Sequence, residues 1–476
     1  MQINLKLASE LNSIHSQIST QKEKILQFGT GVLLKGLPDF FIQLANETGR
    51  NSGRIVLVKS TSPSPSVDPI LPYTIFEKGI QNGELIEKSQ IVSSISREIN
   101  AQTDWKSVVE LAKSPDLEVV ISNTTEAGIQ YLEEKIEGNV PSSFPGKLLS
   151  ILLERYRAGL DGLIIIPCEL IPDNGKILKE IVLKLAAFNQ LEKAFLDWIE
   201  NNCPFCNSLV DRIVSGKPNA ETKEKIESKL GYEDAELIET EPYALWAIEC
   251  NKQVAQKLNW SGIKSDWILA DDISVYRERK LRILNGTHSI MVALGLIQGK
   301  ETVLECMQDD EMLAYISRVA LEEIAPATAV DPKISVPFAK EVLDRFANPH
   351  IRHLLINITL QYSMKMAMRN LKTIERYEEM YAKPPALMAR GFAAFLYFSR
   401  PVKKNEKGQW LGVLNGKEYP IQDDKADVFA EYQQSGRLIE EILEGILTDK
   451  RLWAEFQFSA GFKNLVKEIY RKEFMA

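Results

Sequence analysis

KILQFGTGVLLKG, residues 24–36, is a short apolar run ending in Gly29-Thr30-Gly31 and followed by residues with helical periodicity up to about 46. Strand, glycine turn and helix in immediate succession is how a dinucleotide-binding unit begins. The glycines permit a tight turn and a close approach of backbone to a pyrophosphate, and the helix N-terminus supplies unpaired N–H groups. The full fingerprint places a third glycine at position 34, where this chain has Leu34; Gly36 comes two residues late. An ordinary strand-to-helix turn is the competing reading.

Working outward, further strands are expected at 54–59 (RIVLVK), 73–77, 85–93, 117–122 (LEVVIS) and 162–167 (GLIIIP), with helices at 105–113, 147–158 and 176–185. Near-continuous apolar strands alternating with helices predict a parallel sheet covered on both faces. Extra short strands are expected between 208 and 250. From 271 onward helical periodicity dominates, at 275–297, 309–324, 335–346, 350–371, 387–398, 434–446 and 451–470. One polar, glycine-containing loop or hairpin interrupts it at 403–419. The chain is therefore expected to be an α/β Rossmann-like domain at 1–270 followed by an all-α domain at 271–476.

A length of 476 residues exceeds what one core usually supports. The net charge of -8 gives no global attraction for nucleic acid or an anionic membrane, so an anionic substrate would need local cations. No stretch has the length of a membrane-spanning helix, and the polar N-terminus, which includes His15, lacks the features of a signal peptide. Five cysteines in a chain this long do not form a disulfide framework. A small-molecule enzyme of the cytoplasm fits these features; the oligomeric state is not readable.

The densest polar signal is KLRILNGTH, residues 280–288. At about 100° per residue on an ideal helix, Lys280, Asn285 and His288 fall at roughly 0°, 140° and 80°, within one broad face. Ketone reduction needs a proton donor at oxygen, and alcohol oxidation needs a base. A desolvated lysine can serve as both, an amide can hold the developing alkoxide, and an imidazole can orient the lysine or bind a hydroxyl. A helix with a surface lysine, a capping asparagine and a core histidine is the bland alternative.

These residues match, position by position, the Lys-x4-Asn-x2-His signature of the long-chain mannitol dehydrogenase family, which the chain resembles. The likeness extends to Asn207-Ser208-Leu209-Val210-Asp211-Arg212, to Glu241-Pro242 with Trp246, and to Arg345-Phe346-Ala347-Asn348-Pro349, all in collinear order. The stretches ILQFGTG, NSGRIVLVK, YRERKLRILNGTH and RFANPHIRH are most similar to the branch that interconverts tagaturonate and altronate. The resemblance implies a Rossmann-type domain, a helical domain and an active site between them. It implies NAD(H) as cofactor, no metal, and a keto-sugar acid as substrate. Lys280 would be the general acid/base, Asn207 and Asn285 would hold the reacting oxygen, and His288 would position substrate or lysine. Fructuronate or a neutral polyol would be the substrate in other branches of the family; a nucleotide-binding protein without catalysis is a rival of a different class.

Two departures bear on substrate and cofactor. Some polyol dehydrogenases carry a glutamate three residues before the lysine, where this chain has Arg277. A cation there suits a carboxylate, as would Arg345, with His353 a further substrate contact. At the end of the second strand, Lys59-Ser60-Thr61 replace the usual ribose-binding acid. A lysine there fits a 2′-phosphate, or is simply a solvated strand end. Asn123 and Thr124, at a strand's carboxyl end, are placed to touch the nicotinamide ribose, and Glu126 to reach the active site; Thr124 or Thr125 is equally a helix cap. Cys168-Glu169 and Asn174-Gly175 end another strand and admit either a structural or a binding reading. Cys203-Pro204-Phe205-Cys206 has the spacing of a redox pair or half a zinc site, but buried thiols are the preferred reading. His350 and His353, with Arg352 between them, stand i, i+3 on the expected helix, with no carboxylate to complete a metal site.

Overall fold

The computed structural model describes residues 16–50, 52–60, 62–124 and 128–475. His15, Thr61, Thr125 and Glu126 lie outside the described residues. The chain forms two compact units. The first runs to Ile273, except for Gly79–Leu85, which groups with Ser274 onward in the second.

In the first unit, five strands build one sheet: β1 (Glu23–Phe28), β2 (Arg54–Lys59), then, past the hairpin of β3 (Tyr73–Gln81) and β4 (Glu84–Val92), β5 (Ile95–Asn100), β6 (Val119–Ser122) and β7 (Ile164–Pro167). Their order is β5-β2-β1-β6-β7, and every neighbouring pair is parallel. Alternate residues point to opposite faces, and both faces are dry. Ile25, Ile55, Leu57, Val119 and Ile121 lie in one buried cluster. Leu26, Val56, Val58, Val120 and Ile165 lie in the other. This double burial is why the strands read as unbroken apolar runs. Strand order reverses between β1 and β6, and the carboxyl ends at such a reversal form the ligand-binding crevice of doubly wound sheets.

The helix after the glycine turn is not continuous. Val32–Gly36 and Pro38–Glu47 are separate helices, broken at Leu37, whose φ of -133° and ψ of -75° are non-helical. Pro38 explains the break: it has no N–H to donate, and its ring pushes the preceding residue out of the helical region. Gly36 packs its backbone against Val214, where a Cβ would meet the valine methyls at 2.7 and 2.8 Å. The second helix starts with a buried carboxylate, Asp39, whose neighbour is the amide of Gln27 on β1.

Two smaller sheets complete the unit. One has the order β4-β3-β10-β9, with β9 at Val214–Gly216 and β10 at Ile238–Thr240. The other has the order β12-β11-β8, with β8 at Ser208–Asp211, β11 at Leu245–Glu249 and β12 at Trp267–Ala270. Two segments of the sequence motifs serve the fold here. Arg212 is buried over the Phe40 ring, 4.6 Å from its centroid, donates to the Gly36 carbonyl at 2.6 Å and pairs with Glu77. Trp246 stacks on Trp267, with ring centroids 5.6 Å apart.

The second unit is helical apart from a three-stranded antiparallel sheet, β13 (Lys403–Lys404), β14 (Trp410–Leu414) and β15 (Lys417–Pro420), in the segment expected as a loop or hairpin. Its central helix, Asn285–Ile297, is buried on nearly every side and packs against the apolar helix Ala386–Phe398. The expected helix at 350–371 is instead a non-helical segment followed by Leu355–Ile358, Tyr362–Met366 and a π-helical segment, Ala367–Leu371.

Burial pushes the Asp39 carboxyl up to about 7. A carboxyl raised in the folded state binds its proton more tightly there than in the unfolded chain. Folding therefore loses stability as pH rises from about 4 to about 7, and the loss is complete above that window. Asp39→Asn should raise the thermal midpoint more at pH 8 than at pH 5, as measured by calorimetry at both values.

Candidate active site

The glycine turn lies at the sheet's reversal point. Gly29 follows β1 with φ of +121°, a conformation that favours glycine. A Cβ there would lie 2.8 Å from the Asn123 carbonyl oxygen and 3.0 Å from Leu34 Cδ1. Leu34 therefore fills the space where the fingerprint expects a glycine and packs directly under the turn. Gly31 borders open space, with nothing within 4 Å of where a Cβ would stand, and precedes a helix of only five residues. Thr30 is half-buried between them.

Asn123 and Thr124 stand at the carboxyl end of β6, beside this turn. The Asn123 amide donates to the Cys168 carbonyl at 2.9 Å. Thr124 donates to Glu169 twice, from its backbone N–H at 2.9 Å and its hydroxyl at 3.0 Å, and Ser122 donates to the same carboxylate. Glu169 is buried, and burial pushes its carboxyl up against the pull of these bonds. Glu169 thus fixes the crevice wall. Lys59 Nζ donates to Ser64 Oγ at 3.3 Å from the end of β2.

Asn174 and Gly175 hold the segment that carries Asn207. The Asn174 amide donates to the carbonyls of Pro167, Glu169 and Ser208 and accepts from the Ser208 N–H. Gly175 lies against the Cys206 and Asn207 backbone, where a Cβ would overlap. Asn207 in turn accepts from the Lys176 N–H at 3.1 Å and donates to Glu249 at 2.9 Å. Cys203 and Cys206 are buried free thiols, both pushed up to about 12 by burial, and so are poor nucleophiles.

In the second unit, Lys280, Asn285 and His288 do not lie on an ideal helix. Lys280–Leu284 is a π-helical turn between Ser274–Arg279 and Asn285–Ile297. The Asn285 N–H bonds to the Lys280 carbonyl, five residues back. One wide turn therefore stacks Asn285 above Lys280, where an α-helix would set it about 140° away. The extra residue tightens the grouping inferred from the sequence. Gly286 lets the π-helical segment Ala367–Leu371 approach: its missing Cβ leaves room for Asn370 Oδ1 and the Arg369 carbonyl at 3.2 and 3.4 Å. Arg282 bonds across to the Met368 carbonyl.

The His288 ring stacks on Phe346 with centroids 4.0 Å apart and meets His353 edge-on at 5.0 Å. Burial drives its pKa well below the ordinary imidazole value, aided by His353 and the positive charges of Arg369 and Arg345. It is a neutral imidazole at physiological pH. Arg345 is buried at the end of helix Pro332–Phe346, and Arg277 is half-buried on Ser274–Arg279. His350 and Arg352 are exposed on the non-helical segment, so the i, i+3 geometry inferred for His350 and His353 does not form.

Sequence reading missed Arg369. Its Nη1 donates to Ser289 Oγ at 2.9 Å and reaches the Asn285 carbonyl at 3.4 Å. In MKMAMRNLK it looks like any cation on a helix; only its packing against Asn285 and Ser289 marks it.

A parallel sheet with a glycine turn at its reversal point, and a helical unit with a lysine, amide and imidazole at a π turn, define the class: a two-unit fold of the dinucleotide-dependent oxidoreductase type. The chain belongs to the mannitol dehydrogenase family, matching the mannitol dehydrogenase Rossmann domain over residues 23–262 and its C-terminal domain over 272–472. It is 37% identical to an altronate oxidoreductase of Halalkalibacterium halodurans, over 94% of this chain and 90% of that protein. It is 36% identical to proteins of the same name from Escherichia coli O1:K1, over 91% and 90%, and Yersinia enterocolitica, over 84% and 83%. Among solved structures, its fold is similar to Pseudomonas fluorescens mannitol 2-dehydrogenase in ternary complex with NAD and D-mannitol, with a TM-score of 0.67 at 21% identity, covering 99% of this chain and 96% of that one. A substrate-free D-sorbitol dehydrogenase gives a TM-score of 0.71 at 19% identity, covering 94% and 96%.

His288 should show no protonation step between pH 6 and 8. Carbon-13 labelling of the histidine Cε1 positions, with resonances assigned by single substitutions of the four histidines, reads this directly. A His288 resonance that titrates near 6.5 would contradict the half-buried, cation-flanked environment described.

Proposed function

We propose that this protein is an NAD-dependent oxidoreductase that interconverts altronate and the keto acid tagaturonate by reversible hydride transfer. The observation that carries the chemistry is the π turn that stacks Asn285 above Lys280. A turn of that width sets the two residues on one face of the helix, the arrangement in which a proton-transfer group and an amide donor serve one ketone oxygen. The substrate assignment draws on the altronate oxidoreductases, whose likeness runs along nearly the whole chain.

In the reducing direction, Lys280 would give its proton to the keto oxygen as the carbonyl carbon is reduced. Asn285 and Asn207 donate hydrogen bonds to the oxygen as charge develops, and neutral His288 orients the substrate or the lysine. Arg277, Arg345 and His353 supply cationic and imidazole groups around the sugar. Gly29, Thr30 and Gly31 would hold the pyrophosphate, with Asn123 and Thr124 for the nicotinamide ribose. Lys59 would serve the adenosine ribose, where the family likeness favours NAD(H) over NADP(H). NAD(H), when bound, supplies the hydride; the chain's own residues bind, orient and move the proton. No metal enters this scheme. A cytoplasmic location accords with five buried, unpaired cysteines. Among the described residues no helix is long and apolar enough to cross a membrane.

The reading is tested by following NADH oxidation with tagaturonate, fructuronate and fructose in parallel. Turnover should be fastest with tagaturonate; preference for fructose would retain the proton-transfer scheme and remove the keto-acid assignment. Lys280→Met should lower kcat by about 10²- to 10⁴-fold, the usual contribution of general acid–base catalysis. Nucleotide binding should be unchanged in that variant, as measured by NADH fluorescence. Binding of NADH without turnover of any keto-sugar by the unmodified enzyme would favour a nucleotide-binding protein instead.

A further inference from the structure

Some half-buried guanidinium groups in this protein have a carboxylate: Arg97 pairs with Glu23, Arg282 with Glu278, and Arg390 with Glu473. Others are satisfied by backbone carbonyls, as Arg54 is by Gln21 and Arg400 by Tyr397. Arg369 lies beside the imidazoles of the site and is only partly satisfied. Among the described residues, no carboxylate lies within ion-pair distance of it, and its hydrogen bonds all leave from Nη1, to Ser289 Oγ and the Asn285 carbonyl. Burial alone lowers its pKa, to about 10.

Its neighbour compounds the imbalance. Lys365, one turn earlier, donates to the Ile358 carbonyl at 3.0 Å and also has no carboxylate within ion-pair distance among the described residues. Burial and the charge of Arg369 lower the Lys365 pKa. Both cations act on the imidazoles of the site, Arg369 on His288 and Lys365 on His353, and Arg345 adds its charge to His288. A chain of net charge -8 has thus gathered like charges in a poorly solvated place, and two of them have no acid among the described residues. Such an arrangement is costly until an anion arrives.

We propose that Arg369 is the seat of the substrate's carboxylate, with Lys365 supplying a second positive charge beside it. This rests on the keto-acid reading above and sharpens it. Arg369 Nη1 is tied to the backbone of Asn285 and the side chain of Ser289, so the guanidinium is held in register with the residue stacked over Lys280. A planar carboxylate is the anion that its remaining N–H groups match in a fork. The same anchor sets the distance from the carboxylate to the carbon being reduced. The competing role, a clamp between the two π-helical segments, needs only Nη1 and would make no distinction between charged and neutral sugars.

The test compares Arg369→Gln and Arg369→Lys with the unmodified enzyme on tagaturonate and on tagatose, its neutral counterpart, with NADH saturating. For Arg369→Gln, KM for tagaturonate should rise by about 10- to 100-fold, the range for a lost charge-assisted hydrogen bond, with a much smaller change in kcat. KM for tagatose should rise several-fold less than KM for tagaturonate, so that selectivity for the acid falls. Arg369→Lys should recover part of the lost affinity. Thermal midpoints of both variants identify any folding defect, and calorimetric binding of altronate to the same proteins gives a readout that does not depend on turnover. Equal losses on tagaturonate and tagatose, or unchanged altronate binding in Arg369→Gln, would overturn the assignment. Failure of the unmodified enzyme to turn over tagaturonate would instead overturn the keto-acid reading on which it rests.

Discussion

The hydrogen bond from the Asn285 N–H to the Lys280 carbonyl sets the geometry of the second unit's polar site. One residue more than an α-turn accommodates is held between them, so the chain places two functional groups one above the other without leaving the helix. The neighbouring elements adapt to that turn. Gly286 admits the 367–371 segment, Arg282 bonds across to it, and Arg369 returns to the Asn285 carbonyl and Ser289. On the far side, Phe346 and His353 enclose the His288 ring and keep it neutral. A wide turn has unfavourable local geometry, and it persists here because it is braced by contacts from outside its own helix.

The first unit obeys a different constraint. Its sheet reverses order between β1 and β6, which leaves the carboxyl ends of those strands without a crossover helix above them. The residues at this opening are fixed by bonds to their neighbours: Thr124 by Glu169, Asn123 by the Cys168 carbonyl, and the Asn207 segment by Asn174. Much of the polar sequence at these strand ends therefore maintains the crevice. Arg212, at the end of one family motif, is buried in an ion pair and serves the fold.

Apolar strands were legible in the sequence because burial on both faces removes polar residues: RIVLVK is a strand over the same residues in the structure. Ile95–Asn100 was not, because an edge strand reading ISREIN keeps polar positions and loses the apolar run. The glycine turn and the Lys280, Asn285, His288 grouping were visible as spacing. The break at Leu37 was signalled by Pro38 and passed over, since the apolar pattern continues through it. The π turn has no sequence signature, so the ideal-helix angles misplaced Asn285. Arg369 was invisible for a different reason: what distinguishes it is its packing against Asn285 and Ser289, and only the three-dimensional structure reveals that.

Behind the sheet, Trp246, Trp260 and Trp267 lie with ring centroids 4.8 to 5.6 Å apart, buried beside Phe41. Three indoles at such spacing do not absorb independently. Their transitions couple, and the coupled signal in near-ultraviolet circular dichroism depends on their mutual angles. The first unit thus carries an optical gauge of its own packing, sensitive to displacements too small to change its helix content. Trp410 and Trp453 of the second unit lie outside that stack, as do Trp105 and Trp198 of the first, so the coupled signal reports on the stack itself.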